Sequence, residues 1–412
     1  MKIEFIGGCN VVGGNSVLLS SKTTLMLDYG VRINPAPPVY PPLVKTDNMI
    51  LSHAHLDHCG GLPRLYVSAT PKCYMTSVST DLVKLLLEDS MKIADKENYP
   101  VPFKQKHVRA LYDNMYAEEY YNEFRLGEYK CILYDAGHIP GSAGILVNAD
   151  KKKIFYTGDI NNKPTHLVNS CHLPKDIDIL IMESTYSKRE HPLRLQEEKN
   201  LIALVEEVVN KNSTALLPVF AIGRSQEVLF ILEKFTSKIA IDGMARKATE
   251  IIFEHSSSIK DHVRLRKILN RIFTIHDSKD REFALKNYPI IISTAGMLFG
   301  GPALYFLKKI RSDPESKVLF TGYLIDDSPG KELLDTGRFK GEQESYNVKC
   351  EVRRFDLSSH AGHSGLLEII KKTNPQKVAC IHGDDCEGFA KEIESSLGIS
   401  AFAPKAGEKI KV

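Results

Sequence analysis

Three imidazoles and a carboxylate fall within six residues of the run Leu51-Ser-His-Ala-His-Leu-Asp-His-Cys-Gly-Gly61, as His53, His55, Asp57 and His58. Imidazole nitrogen and carboxylate oxygen are natural ligands of zinc and similar divalent ions, so this spacing points to metal chemistry. One loop cannot complete two metal sites by itself, and later strand-like stretches offer partners at their ends. Asp135-Ala-Gly-His138 follows the apolar run Cys131–Tyr134, Tyr156-Thr-Gly-Asp159 ends another, and Ile381-His382-Gly-Asp384 ends a third. Glycines beside His138 allow close backbone approach, which suits a ligand on a tight turn. Asp159 offers a carboxylate able to bridge two ions. Taken singly, a His or Asp after a strand is usually a solvated loop residue. Together with the first cluster these residues supply seven ligands, enough for a two-metal hydrolytic site.

The elements that must position these ligands change character along the chain. Lys2–Ile6, Ser16–Leu19, Thr24–Leu27 and Asn48–Leu51 are short β-prone runs punctuated by Gly, Asn and Pro. Cys131–Tyr134, Gly144–Val147, Ile154–Thr157 and Ile177–Met182 repeat the type, and a helix is predicted from Asp81 to Lys96. Sheets with outer helices are the natural architecture for this half. From Leu201 the apolar spacing becomes helical, and strand-like Ala215–Phe220, Ile239–Ile241, Ile290–Thr294 and Val318–Thr321 alternate with helices. That alternation predicts a parallel sheet wound by helices. After Tyr346, the strand-like Val348–Arg353 leads into Ser358-Ser-His-Ala-Gly-His363 and a helix over Gly365–Lys372. The strand Val378–Ile381 then runs directly into His382.

Composition sets wide bounds. A chain of 412 residues calls for two domains, or one domain carrying a large insert. Its 43% hydrophobic and 25% charged residues are those of a soluble globular protein, and no apolar run reaches membrane-spanning length. A formal net charge of +3 neither demands nor excludes a nucleic-acid partner. The eight cysteines are scattered without a Cys-x-x-Cys pair, which predicts reduced thiols and a cytoplasmic location. Met1-Lys-Ile-Glu-Phe-Ile-Gly-Gly8 carries an acid and soon meets glycines, so no signal peptide is expected.

In this order, His-x-His-x-Asp-His, a Gly-His turn and Thr-Gly-Asp resemble the metallo-β-lactamase superfamily. Glu183-Ser-Thr-Tyr186, Ser359-His360 and Ile381-His382-Gly383 resemble the further motifs of its β-CASP branch, and Gly223-Arg-Ser-Gln-Glu227 and Ser293-Thr-Ala-Gly-Met297 look like parts of the β-CASP insert. The likeness covers nearly the whole chain. It is greatest to archaeal and bacterial homologues of the endonuclease subunit of the cleavage and polyadenylation specificity factor, and the KH extension of some archaeal members is not expected, since Met1 begins the first strand-like run. The fold implied is α/β: an αββα sandwich formed by residues 1–187 and 345–412, with an inserted β-CASP α/β domain at 188–344. Two departures stand out. Gly362 occupies a position where relatives commonly carry Asp, and the Gly-Gly-Asn-Ser16 turn replaces a Gly-Arg-Ser type.

The resemblance implies that His53, His55 and His138 hold one zinc, Asp57, His58 and His382 a second, and that Asp159 bridges them. It assigns His360 as general acid, Glu183 as the group orienting it, and to Asp57 an added part in orienting the nucleophile. The implied enzyme is a two-zinc ribonuclease acting on single-stranded RNA, by endonuclease or 5′-exonuclease cleavage, leaving 5′-phosphate and 3′-hydroxyl ends. A homodimer through the segment Lys405–Val412 and membership of a larger RNA-processing complex follow by analogy. Three other classes stand beside this one. A small-molecule thioesterase or lactonase would not need the insert or Glu183 and His360; a DNA-processing β-CASP nuclease would lack His382; a silent scaffold would have lost ligands.

Other residues read more plainly. Arg224, following Gly223 at a predicted helix start, is a candidate RNA phosphate contact, with a surface ion pair as the alternative. His363 is expected to neighbour a helix cap, and His107, His166, His172, His191, His255, His262 and His276 to be surface or capping groups. Lys151-Lys-Lys153 suggests a hairpin turn, and Cys59 a core position. Gly7–Gly14 lacks a following Lys-Ser/Thr and is not a phosphate-binding P-loop.

Overall fold

A computed structural model of the chain describes residues 1–34, 36–341 and 344–412. Its contacts divide the chain into two units. One comprises Met1–Pro164, Val168–Glu190 and Ser359–Val412; the other comprises Thr165–Leu167 and His191–Ser358.

The first unit holds two seven-stranded sheets among the described residues. One runs from the edge strand Glu408–Lys411 through Lys2–Gly7, Ser16–Ser20, Thr24–Leu27, Asn48–Ile50 and Lys72–Met75 to Met115–Ala117. The other runs from Ser400–Phe402 through Lys377–Ile381, Ile179–Glu183, Lys152–Tyr156 and Ala143–Ala149 to Tyr129–Asp135 and Glu123–Leu126. Side chains alternate across a strand with period two, and the burial follows that rule on both faces. Ile154 and Tyr156 join Phe5, Leu19, Leu27, Val147 and Ile381 in the core shared by the sheets. Phe155, between them, turns to the opposite face with Leu146, Leu180 and Met182, where Leu366, Ile369, Phe389 and Ile393 cover it. Those four come from the helices His363–Thr373 and Cys386–Leu397. The predicted helix near Asp81 spans Ser77–Lys96, burying Val78, Leu82, Val83, Leu86 and Leu87 at helical spacing. The expected αββα sandwich is therefore the observed one.

The second unit is built on a sheet ordered Phe273–Thr274, Ile239–Asp242, Ile290–Ser293, Ala215–Pro218, Lys317–Phe320 and Glu351–Arg354. Every pairing in it is parallel. Its central strands are buried at each position, as expected where helices cover both faces of a parallel sheet. The division by contacts runs later than the expected boundary at 345. Glu351–Arg354 pairs in register with Lys317–Phe320, so residues 345–358 group with the insert rather than with the sandwich.

Candidate metal centre

The His53–His58 run occupies the loop after the strand Asn48–Ile50 and the short helix Leu56–Cys59. His55 is the N-cap of that helix, and the run turns so that the His53 ring lies 4.9 Å from that of His55 and 4.0 Å from that of His58. The turn depends on a close backbone approach: a Cβ at Gly30 would lie 1.7 Å from the Asp57 carbonyl oxygen. Gly137, before His138, is similarly constrained. It has φ +70°, and a Cβ there would lie 2.6 Å from the Cys171 amide nitrogen. His382 follows its strand at φ +50°, an uncommon backbone state for a residue with a side chain.

The side chains converge in two groups. His55 Nδ1 lies 3.2 Å from His53 Nε2 and 3.3 Å from His138 Nε2. Ligands on a tetrahedral zinc with bonds of about 2.0–2.1 Å are separated by roughly 3.3–3.4 Å, so these three nitrogens are spaced as ligands of one ion. Asp159 Oδ2 lies 3.4 Å from His53 Nε2 and 3.7 Å from His138 Nε2. The second group is Asp57, His58 and His382. Asp57 Oδ2 is 3.4 Å from His382 Nε2 and 3.9 Å from His58 Nε2. Asp159 Oδ1 reaches both imidazoles, at 3.1 Å from His58 Nε2 and 2.8 Å from His382 Nδ1. One carboxylate thus touches both groups, an oxygen to each.

The electrostatics of the groups differ. Burial, reinforced by neighbouring imidazoles, lowers the pKa of His53 and His138 and brings His55 to about 3. These rings are therefore neutral and offer lone pairs. Burial also works against charge on His58 and His382, but the surrounding carboxylates outweigh it and raise both, His382 to about 10. The negative field of Asp28, Asp57 and Asp159 would equally favour a divalent cation. His382 Nε2 is buried and makes no hydrogen bond. Donor type, spacing and this unsatisfied nitrogen all fit metal ions.

Two supports were not found in the sequence. Asp28 Oδ2 lies 2.6 Å from His58 Nδ1, while its carboxylate also accepts from the Ser52 amide and the Tyr156 hydroxyl at 2.6 and 2.7 Å. Such a partner fixes a ligand imidazole's orientation and tautomer. Its only sequence signal was an Asp ending an apolar strand, as at Asp135 and Asp159. Asn15, from the unusual Gly-Gly-Asn-Ser16 turn, brings Nδ2 to 2.9 Å from His58 Nε2. On the other side, the Ser359 carbonyl lies 2.9 Å from His138 Nδ1.

His360 stands beside the first group. Its Nδ1 lies 2.9 and 3.0 Å from the two oxygens of Glu183, which ends the strand Ile179–Glu183. Its Nε2 is 4.0 Å from Asp159 Oδ2. Burial lowers the imidazole pKa, but Glu183 and Asp159 more than offset it and hold His360 above its ordinary value. Gly362 is the N-cap of the next helix and presents no carboxylate.

The remaining expectations divide. Cys59 is fully buried and Lys151 lies in the turn of a hairpin. His107 Nδ1 accepts from the Lys104 amide, as a capping group does. His363 opens its helix and pairs with Glu392 at 3.0 Å. His166 is half-buried and does more than face solvent: its Nε2 lies 3.0 Å from Glu198, in a cluster that includes Glu227 and Arg194. Arg224 does open its helix, but its side chain is buried and donates to the Leu357 carbonyl.

Sandwich and donor set together define a metal-dependent hydrolase on the metallo-β-lactamase fold. Residues 345–404 match the family described as a Zn-dependent metallo-hydrolase RNA specificity domain, 225–333 the Beta-Casp domain, and 5–201 the Anti-Pycsar protein Apyc1 family. Over all of both chains the protein is 36% identical to Probable RNase MJ4 of Methanocaldococcus jannaschii. It is 35% identical to RNase aCSPSF2 of Saccharolobus solfataricus, across 99% of this chain and 85% of that one. Integrator complex subunit 11 of Danio rerio is 29% identical over 88% of this chain and 64% of its own length. A solved structure of unknown function from Enterococcus faecalis, 16% identical with a TM-score of 0.65, covers 99% of both chains and shares the fold. The chain belongs to the β-CASP family of ribonucleases. No helix among the described residues is long and apolar enough to cross a membrane.

Proposed function

We propose that the protein is a two-zinc ribonuclease that hydrolyses phosphodiester bonds of single-stranded RNA in RNA processing or decay. His53, His55 and His138 would hold one ion, Asp57, His58 and His382 the other, and Asp159 both. Zinc there supplies Lewis-acid stabilisation of phosphoryl charge and a nucleophile from water at neutral pH. The observation carrying the reading is the His360–Glu183 pair, 2.9 Å apart, beside the carboxylate shared by both metal groups. Glu183 accepts from Nδ1 and so directs Nε2, 4.0 Å from Asp159, toward the reacting phosphate. A proton on Nε2 is then placed to pass to the departing 3′ oxygen, leaving 5′-phosphate and 3′-hydroxyl products. Asp57, in contact with His382 and within 3.9 Å of His58, would accept a hydrogen bond from the attacking water. Acyl hydrolysis, with a leaving group of different geometry, has no need of this pair.

The test incubates zinc-loaded protein with single-stranded RNAs labelled at either end, bearing a 5′-hydroxyl or a 5′-monophosphate. Internal fragments from both would identify an endonuclease, and mononucleotides from the 5′ end an exonuclease. Intact RNA alongside a cleaved thioester would remove the ribonuclease reading. The same proposal includes a cytoplasmic homodimer working within a larger RNA-processing assembly; a monomer mass by sedimentation would count against the dimer.

A further inference from the structure

Exposed aromatic rings are uncommon in this chain, and most are accounted for by neighbours. Tyr116 stacks on Tyr74, Tyr121 packs against His172, and Phe283 against Phe273. Phe220 and Phe299 are 37% and 53% exposed, and neither ring packs on another aromatic ring among the described residues. Both belong to the insert, and both lie on the same edge of its sheet. Phe220 follows Ala215–Pro218, and the loop carrying Phe299 follows the neighbouring parallel strand Ile290–Ser293. The two loops touch: a Cβ at Gly296 would lie 3.0 Å from the Phe220 amide nitrogen. The Phe220 ring also covers Gly322, after the strand Lys317–Phe320, where a Cβ would lie 3.2 Å from Cε2.

This edge is where an open α/β sheet takes ligands. From Ala215–Pro218 the chain crosses to Ile239–Asp242 on one side, and from Lys317–Phe320 to Glu351–Arg354 on the other. Adjacent strands whose connections diverge leave a crevice at their carboxyl ends. The helices Arg224–Ile231 and Pro302–Ile310 begin at this edge, so their positive dipole ends lie on the same side of the sheet. Flat apolar rings beside a positive field suit a single-stranded nucleic acid, whose bases stack while its phosphates are attracted.

We infer that Phe220 and Phe299 form a base-stacking platform that positions single-stranded RNA on the insert. The inference rests on the ribonuclease reading and adds to it a sequence-tolerant substrate contact. The chain contains no tryptophan, so Phe299→Trp introduces a single fluorescent reporter. The variant, zinc-loaded and combined with His360→Ala to prevent turnover, is titrated with single-stranded RNA, with an abasic chain of equal charge, and with the corresponding duplex. Quenching by the single strand and not by the other two is the expected result. Equal quenching by the abasic chain, or none by RNA, overturns the platform. In parallel, Phe220→Leu and Phe299→Leu should each raise KM for RNA roughly tenfold with kcat and melting temperature little changed. Wild-type KM in both also overturns it. Cleavage by the wild-type protein is scored separately, so loss of the ribonuclease reading is distinguishable from loss of the platform.

Discussion

Glu183 holds His360 with both carboxylate oxygens, at 2.9 and 3.0 Å from Nδ1, while one of them also accepts the Ile160 amide at 2.7 Å. The carboxylate is therefore fixed by backbone before it fixes the imidazole. Glu183→Gln keeps the size but removes the charge that holds a proton on His360. The expected outcome is a fall in kcat of about 10²-fold or more with KM and zinc content nearly unchanged, since positioned proton transfer contributes about that much. Steady-state kinetics on a labelled RNA check it; an unchanged kcat would show that the pair is structural.

His360 and His382 lie close together in the same centre but are assigned different work, and metal content separates them. His360→Ala should abolish cleavage and retain about two zinc ions per chain. His382→Ala removes a donor whose Nε2 has no other hydrogen bond, and should lose about one ion together with activity. Metal analysis after dialysis decides the matter. Zinc loss in the His360 variant would mean that His360 is a ligand rather than an acid.

Asp28 acts on the same centre from behind. With Nδ1 of His58 held at 2.6 Å, the ring keeps the orientation that turns Nε2 toward Asp159. Asp28→Asn should weaken zinc binding about 10–100-fold, the usual effect of removing such a partner. Competition against a chromophoric chelator measures this, and equal affinity in the variant would leave Asp28 a purely structural residue.

What the sequence made legible was local. The six-residue run, and single ligands ending apolar strands beside glycines, carry their own spacing, so the seven ligands could be gathered from the residues, while their division into two groups came from the family resemblance. Sheets with outer helices and the parallel insert sheet were legible because periodicity is local too, while the αββα arrangement itself came from the family resemblance. Asp28 was not, because its partner His58 is 30 residues away and nothing in Leu27-Asp28-Tyr29 marks the pairing. Arg224 shows the same limit. A helix start can be read from Gly223, but whether its side chain faces solvent or the Leu357 carbonyl depends on tertiary packing. The edge strand Glu351–Arg354 could be seen as a strand, while its sheet could not.

The cluster around Arg194 gives a prediction about stability. Arg194 donates to Glu198 at 2.8 Å and pairs with Glu227, while Glu227 also accepts the His166 and Leu167 amides at 3.0 and 2.9 Å. Burial tends to raise the Glu198 pKa, but hydrogen bonds from His166 and Arg194 outweigh it and leave the pKa below its ordinary value. A carboxyl lowered on folding stabilises the protein fully above its unfolded pKa, and that contribution is lost as pH falls through the folded value. The insert should therefore hold its melting temperature down to about pH 4.5 and lose it below, the ordinary glutamate value marking the top of the window. Arg194→Ala leaves Glu227, only 1% exposed, without its cation. The expected cost is about 3 kcal/mol, at the lower end for breaking a buried pair because the two amides still solvate the carboxylate. The variant should also lose part of the dependence below pH 4.5, since Glu198 keeps its hydrogen bond with His166 but no longer gains from the arginine. Thermal unfolding of both proteins across pH 3 to 7 tests this, and parallel curves would show that Arg194 contributes nothing to the acid limit.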